Sequence, residues 1–199
     1  TAVIRSESYQ EDAYFIFTTK TGITKRTPLT QFANIRKNGL IAISLHDEDE
    51  LISVRLTDGK KQIIIGTRDG MLIRFNETDI RSMGRTAAGV RGIKLREDDY
   101  VVGMEIIEPE HEILVVTEKG YGKRTPESEY RLQSRGGVGI KTIQITDKNG
   151  PMCTVKTVDG TEDIMLITIN GMLIRMDVND ISVVGRSTQG VRLIRLGDE

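Results

Sequence analysis

Short apolar runs alternate with glycine-centred turns along the chain, and the pattern returns about every fifty residues. It is clearest in the second copy. Residues 62–66 (QIIIG) form a β-branched apolar run, and Arg68-Asp69-Gly70 has the chemistry of a tight turn in which glycine takes positive φ. Residues 71–75 (MLIRF) then predict the second strand of a hairpin, 90–95 (VRGIKL) a third strand and 101–107 (VVGMEII) a fourth. Four short strands joined in sequence predict a meander blade.

The other copies follow the same pattern. Strands are predicted at 14–18, 23–27, 40–45 and 51–56 in the first copy and at 113–117, 121–125, 138–145 and 152–158 in the third. The fourth copy offers 164–168, 172–176 and 191–196, then stops. Residues 2–5 (AVIR) resemble a fourth strand without its own blade, suited to completing a blade at the far end of a ring. The expected fold class is therefore all-β, a propeller-like array of four-stranded antiparallel blades. The expected organisation is one repeat domain over 1–199, with copies at about 13–56, 61–107, 111–158 and 162–199 and residues 1–6 a stray strand from a neighbouring blade. The start at Thr1 and the stop inside a copy read as a piece of a longer protein. Between second and third strands, a segment such as 76–89 has no strong period and reads as an ordered rim loop, where binding residues concentrate.

Composition removes several function classes. Aromatic residues are 5% and Trp is absent, which argues against a base-stacking platform. The single Cys153 allows no internal disulfide and reads as a small core residue beside Met152. No stretch is long and apolar enough to span a membrane and no signal-peptide pattern opens the chain, so it reads as soluble and cytoplasmic, with no membrane partner.

The formal net charge is only -1, yet the charges are sorted by position in the repeat. A first glycine (Gly22, Gly70, Gly120, Gly171) is followed four residues later by Arg26, Arg74, Arg124 and Arg175, and a second glycine follows at Gly39, Gly89, Gly139 and Gly190. In three copies an arginine stands four residues before that second glycine (Arg85, Arg135, Arg186) and a cation two residues after it (Arg91, Lys141, Arg192). The first copy has Ile35 and Ile41 instead, with Arg36 and Lys37 nearby, while Arg81 and Arg131 add charge to the later loops. Acidic residues crowd the connections at 47–50, 97–99, 105–112 and 159–163. A single surface arginine is as readily solvated or paired with a carboxylate, but recurrence in register predicts a rim that binds a polyanion. The glycines in residues 134–139 (SRGGVG) are expected to leave backbone N–H groups open to phosphate.

No catalytic constellation appears. His46 and His111 lie in acidic connectors at unmatched positions, 47–50 lacks the spaced ligands of a calcium loop and reads as a solvated charge run, and 136–139 lacks the lysine-serine pair of a nucleotide loop. Tyr121, alone among the repeated turns in being aromatic, reads as core packing.

The strings GYGKRTP (120–126), GMLIRF (70–75) with MGRTAAGVRGIKL (83–95), and NDISVVGRSTQGVRLIRL (179–196) resemble, over essentially the whole chain, the C-terminal domain of the A subunit of bacterial DNA gyrase, which is a type IIA topoisomerase. The resemblance implies a β-pinwheel whose blades exchange strands, usually six in number, so that the first part of the domain is absent here. It also implies sequence-nonspecific binding of double-stranded DNA, wrapped to support ATP-dependent negative supercoiling in the bacterial cytoplasm, on the chromosome. Partners would be the gyrase B subunit together with the rest of the gyrase A subunit. The catalytic tyrosine and the ATP and Mg sites would lie elsewhere in the holoenzyme, leaving no catalytic residue and no cofactor in this piece. The family's glycine- and arginine-rich box, of form QRRGGKG, has only a degenerate relative at 133–139 (QSRGGVG), where Ser134 and Val138 depart from it. On this basis Arg85, Arg91, Arg135, Lys141, Arg186 and Arg192 are expected as the main DNA contacts, flanked by Arg36, Lys37, Arg81 and Arg131, with Arg26, Arg74, Arg124 and Arg175 either supporting them or bracing blades. The alternatives are the C-terminal domain of the topoisomerase IV A subunit, which shares the blade type, and a propeller that serves as a protein-interaction scaffold.

Overall fold

The first landmark glycine of each copy turns a hairpin. In the computed structural model, which describes residues 12–34 and 37–196, Gly70 has a φ of 75° and joins β4 (Gln62–Thr67) to β5 (Met71–Asn76). The corresponding hairpins are β1 (Tyr14–Thr19) with β2 (Ile23–Pro28), β8 (Glu112–Thr117) with β9 (Tyr121–Pro126), and β12 (Asp163–Ile167) with β13 (Leu173–Asp177). Residues 2–5, the expected stray strand, lie outside the described residues.

A copy is not a sheet. The fourth strand of each copy, β3 (Leu51–Thr57), β7 (Val101–Ile107) or β11 (Met152–Val158), pairs with the first strand of its own hairpin. The third strand leaves. β6 (Val90–Arg91) of copy two pairs with β2 of copy one, β10 (Ile140–Lys141) of copy three with β5, and β14 (Val191–Arg192) of copy four with β9. Three sheets thus read fourth, first, second and then the next copy's third strand, all antiparallel. This replaces the meander expected from residue order, and it agrees with the strand exchange that the resemblance implies. The long second-to-third segment, which begins with a single 3-10 turn such as Glu77–Asp79, makes the crossing.

Both landmark glycines serve that exchange. The Gly70 carbonyl accepts from Thr142 N at 2.8 Å, so the first glycine receives the next copy's third strand. Gly139 lies at a φ of 72°, and a Cβ there would be 2.6 Å from the Leu72 carbonyl oxygen, so the second glycine is where the departing strand presses on its host. The third strands keep only two paired residues each, shorter than expected. Residues 40–45, expected as the third strand of the first copy, form no strand, and Ile41 is 67% exposed. Likewise β12 and β13 form a two-stranded sheet with Met165, Ile167 and Leu173 exposed.

Apolar clusters span copy boundaries. One joins Ile16 of copy one to Ile63, Ile73, Phe75, Ile93 and Met104 of copy two, and a second joins Ile64 and Leu72 of copy two to Ile113, Tyr130 and Val155 of copy three. Fourth strands of successive sheets lie side by side, tied by Glu105, which accepts from Arg55 Nε at 2.8 Å and from Lys156 Nζ at 2.7 Å. The sheets therefore fan outward from their fourth strands, which puts the crossing loops and third strands on the outer rim.

Candidate nucleic-acid interface

The exchange brings together residues that stand more than forty positions apart. Arg135, on the crossing loop of copy three, donates through Nη1 to the Arg91 carbonyl oxygen at 3.0 Å, so the loop arginine of one copy grips the third strand of the copy before it. Arg186 donates to the Lys141 carbonyl at 3.0 Å, and Arg85 to the Ile41 carbonyl at 3.0 Å. Every seam between successive copies has the same geometry. Its cationic content differs: Arg91 with Arg135, Lys141 with Arg186, and Arg85 alone beside the exposed Ile41. Arg91 and Lys141 are exposed and their arginine partners half-buried, so each complete seam presents two positive side chains on the rim.

Arg192 belongs to a fourth position of this kind. Its Nη2 lies 2.9 Å from the Tyr121 hydroxyl, and its guanidinium stacks 5.3 Å from the ring centroid, with Lys148 Nζ 5.7 Å from the same ring. Tyr121 is buried as expected, but its ring also supports two cations. Lys148 escaped notice in the sequence because no other copy has a cation matched to it. Arg81, Arg131 and Lys37 are exposed on the loops, and Arg36 lies outside the described residues.

The arginine that follows the first glycine takes a different position. Arg74 donates to Gln62 Oε1 at 2.7 Å, to the carboxylate of Glu127 in the next copy at 2.5 Å, and to the Tyr130 carbonyl at 3.0 Å. Arg124 is buried, ion-paired with Glu112 at 2.6 Å and bonded to the Ile181 carbonyl at 2.9 Å. These contacts turn Arg74 and Arg124 into the seams, where they brace successive blades, one of the two roles expected for them. Arg26 stacks on Tyr14 at 4.7 Å, and Arg175 is exposed, paired with Asp163.

Three further expectations change. The backbone N–H of Gly136 donates to the Gly92 carbonyl at 2.6 Å, so that group closes a seam and is not open to phosphate. Asp49 is buried and accepts from Thr21 N at 3.0 Å and Thr21 Oγ1 at 2.6 Å, so it caps a hairpin turn where 47–50 was expected to be a solvated charge run, and Asp99 caps the next hairpin in the same way, accepting from Asp69 N at 3.0 Å. Burial pushes the Asp49 carboxyl up, but hydrogen bonds from the Thr21 and Thr19 side chains and from the Thr21 and Glu50 backbone outweigh it and hold the carboxyl below the usual range. Cys153, expected in the core, is exposed.

Lys25 and Lys123 are fully buried on second strands, and burial lowers each ammonium pKa to about 8. The only signal for them in the sequence is that the second strand reads Lys-Arg in copies one and three and Ile-Arg in copies two and four. Among the described residues no group of His, Cys, Asp and Glu is placed to hold a metal ion, and no helix is long and apolar enough to cross a membrane.

Comparison with known proteins fits this architecture. Residues 13–58, 61–108, 111–150 and 162–199 match the family described as DNA gyrase C-terminal domain, β-propeller. The DNA gyrase A subunit of Halalkalibacterium halodurans is 66% identical over 196 residues, covering 98% of this chain and 24% of that protein. The chain spans about a quarter of the length of the curated relatives it matches. Among solved structures, a DNA gyrase A C-terminal domain superposes with a TM-score of 0.87 at 28% identity, over 97% of this chain and 65% of that one. The C-terminal domain of a DNA topoisomerase IV superposes with a TM-score of 0.91 at 27% identity, over 96% of this chain and 60% of that one.

Proposed function

Because the chain belongs to the family of DNA gyrase C-terminal β-propeller domains, we propose that it binds duplex DNA along its outer rim and bends it, as the wrapping part of a gyrase A subunit. The observation that carries this reading is the repetition of one seam geometry, with cation pairs Arg91–Arg135 and Lys141–Arg186 at successive seams. Duplex DNA offers phosphates at short regular spacing, so a curved row of such pairs holds it without reading bases. Bending 20–30 bp by 40–90° costs of order 1–6 kcal/mol, which several phosphate contacts must offset. Within the holoenzyme, the B subunit together with the rest of the A subunit would supply DNA cleavage and ATP hydrolysis, and the wrap would set the sign of supercoiling in the bacterial cytoplasm. The half-buried Arg85 and the exposed Arg192, Lys148, Arg81, Arg131 and Lys37 extend the same rim.

Shape does not separate gyrase from topoisomerase IV, since both superpose over nearly the whole chain. Identity of 66% to a gyrase A subunit favours gyrase.

Duplex affinity measured across salt tests the proposal. If the six main contacts each neutralise one phosphate, the slope of log affinity against log salt is about -5. Replacing Arg91, Arg135, Lys141 and Arg186 together by alanine should flatten it by roughly 3 to 4. An unchanged slope and affinity would refute the assignment.

A further inference from the structure

Lys25 and Lys123 are cations that the proposed DNA contacts leave unused. Each sits one residue before the arginine that follows the first glycine by four, Arg26 or Arg124, and each is fully buried. Their hydrogen bonds go to backbone carbonyls: Lys25 Nζ donates to Ala42 at 2.6 Å and to Arg85, and Lys123 Nζ to Gly185 at 2.6 Å and Arg186 at 2.8 Å. A buried ammonium held without a carboxylate bonded to it is costly, so it calls for a reason. Blade packing does not supply one. The same position in copies two and four is Ile73 and Ile174, and Ile73 is fully buried in the core.

The difference follows the loop overhead. Residues 84–89 (GRTAAG) and 185–190 (GRSTQG) lie over the lysines, whereas residues 134–139 (SRGGVG) lie over Ile73. The third loop descends onto the apolar side chain, with Ile73 Cδ1 3.7 Å from where a Cβ on Gly137 would stand, and Gly136 N fastens it to Gly92. The two loops without a glycine pair are fastened by lysine, and at the carbonyl of the very arginine they present.

We infer that Lys25 and Lys123 are positioning residues for DNA binding: each locks the backbone of a loop arginine, Arg85 or Arg186, so that its guanidinium stays on the rim seam, while Ile73 and the glycine pair do this for Arg135. The inference rests on the DNA-binding reading above. It makes the rim alternate between two kinds of seam, one pinned by a buried cation and one by apolar contact.

A double-mutant cycle in the 199-residue chain tests it, with short duplex DNA as the ligand. Lys123→Ile installs the residue found in copies two and four, and Lys123→Met, unbranched, serves if the first variant does not fold. Either should weaken duplex binding about tenfold when Arg186 is present, the lower range for one charge-assisted contact, and hardly at all in an Arg186→Ala background. Lys25 with Arg85→Ala should behave alike. A general loss of structure would weaken both backgrounds equally, and that outcome overturns the inference, as does undiminished binding by the lysine variants while Arg186→Ala is impaired. If Arg186→Ala and Arg85→Ala also bind undiminished, the rim reading fails and the inference with it.

Discussion

Arg124 and Arg175 occupy the same position in the repeat, and the structure sets very different costs for losing them. Arg124 is 7% exposed and bonds to Glu112, to the Ile181 carbonyl and to Asn179, joining copy three to copy four. Replacing it with methionine fills much of the space and strands the Glu112 carboxylate, whose side chain is 23% exposed. Breaking one side of a buried pair costs about 3–5 kcal/mol, and the remaining access of Glu112 to water lowers this to roughly 2–3 kcal/mol. For a chain of this size that is a fall in Tm of roughly 5–10 °C. Arg175 pairs with Asp163 in the open, with 69% and 45% of the two side chains exposed, so Arg175→Met should cost at most about 1 kcal/mol. Calorimetry on both variants measures the contrast, and Glu112→Gln added to Arg124→Met should restore part of the loss by removing the stranded charge. Equal melting shifts for the two arginines, or an Arg124→Met protein of unchanged Tm but reduced duplex affinity, would refute the division between bracing and binding arginines.

Other consequences are as direct. Gly139→Ala forces a Cβ to within 2.6 Å of the Leu72 carbonyl at a φ of 72°, and should destabilise by about 2 kcal/mol or more in denaturant unfolding; Gly171→Ala, at a φ of 81° with nothing within 4 Å, should cost only about 1 kcal/mol. Stability should depend on pH through Lys25 and Lys123. Each has a folded pKa of about 8, depressed from an ordinary value of 10.5. Below pH 8 both states hold the proton and the burial cost is complete. Between about 8 and 10.5 the unfolded chain holds more protons, so stability rises with pH, by roughly 1 kcal/mol per pH unit for each lysine. Urea unfolding at about pH 7.5 and about pH 9.5 should show that rise in the wild type and lose most of it in Lys25→Ile/Lys123→Ile; a falling or flat wild-type profile would contradict it.

The hairpin strands and the fourth strands were legible in the sequence because their signals are local, whereas the third strands were read too long and 40–45 was read as a strand that does not form. A β-branched run such as 62–66 followed by Asp69-Gly70 carries its own turn, and each expected hairpin is present within a residue or two at its ends. Pairing partners were not legible. The period of two tells which face of residues 90–95 is apolar, but it is silent on whether that strand joins the hairpin just before it or the one fifty residues earlier. The contacts of Gly139 with Leu72 show what selects the partner, and they are tertiary. The recurring cations were visible as a set, but their division was not. Arg74 and Arg91 look alike in composition, and only the position of Glu127 and Gln62 around the first separates a brace from an exposed rim residue. Lys25 and Lys123 were hidden for the opposite reason: a lysine in a strand normally reads as solvent-facing.

Strand exchange also explains why charge and architecture are joined at the same place. In each complete seam one cation comes from the third strand of a copy and the other from the crossing loop of the next, and the bond between them runs from a guanidinium to a backbone carbonyl. That leaves the remaining donors of the loop arginine and the whole head of its partner for an external anion. The distance between cation pairs is then set by the contact of successive sheets and not by flexible side chains. Duplex DNA lying on such a rim meets charges whose spacing is fixed by the core, through Ile73, Phe75 and Met104 at one boundary and Leu72, Tyr130 and Val155 at the next. On the proposed reading, a rigid row of this kind would impose its own curvature on the duplex. This is the physical requirement for bending DNA rather than merely attracting it, since the deformation energy is recovered only if the contacts do not yield.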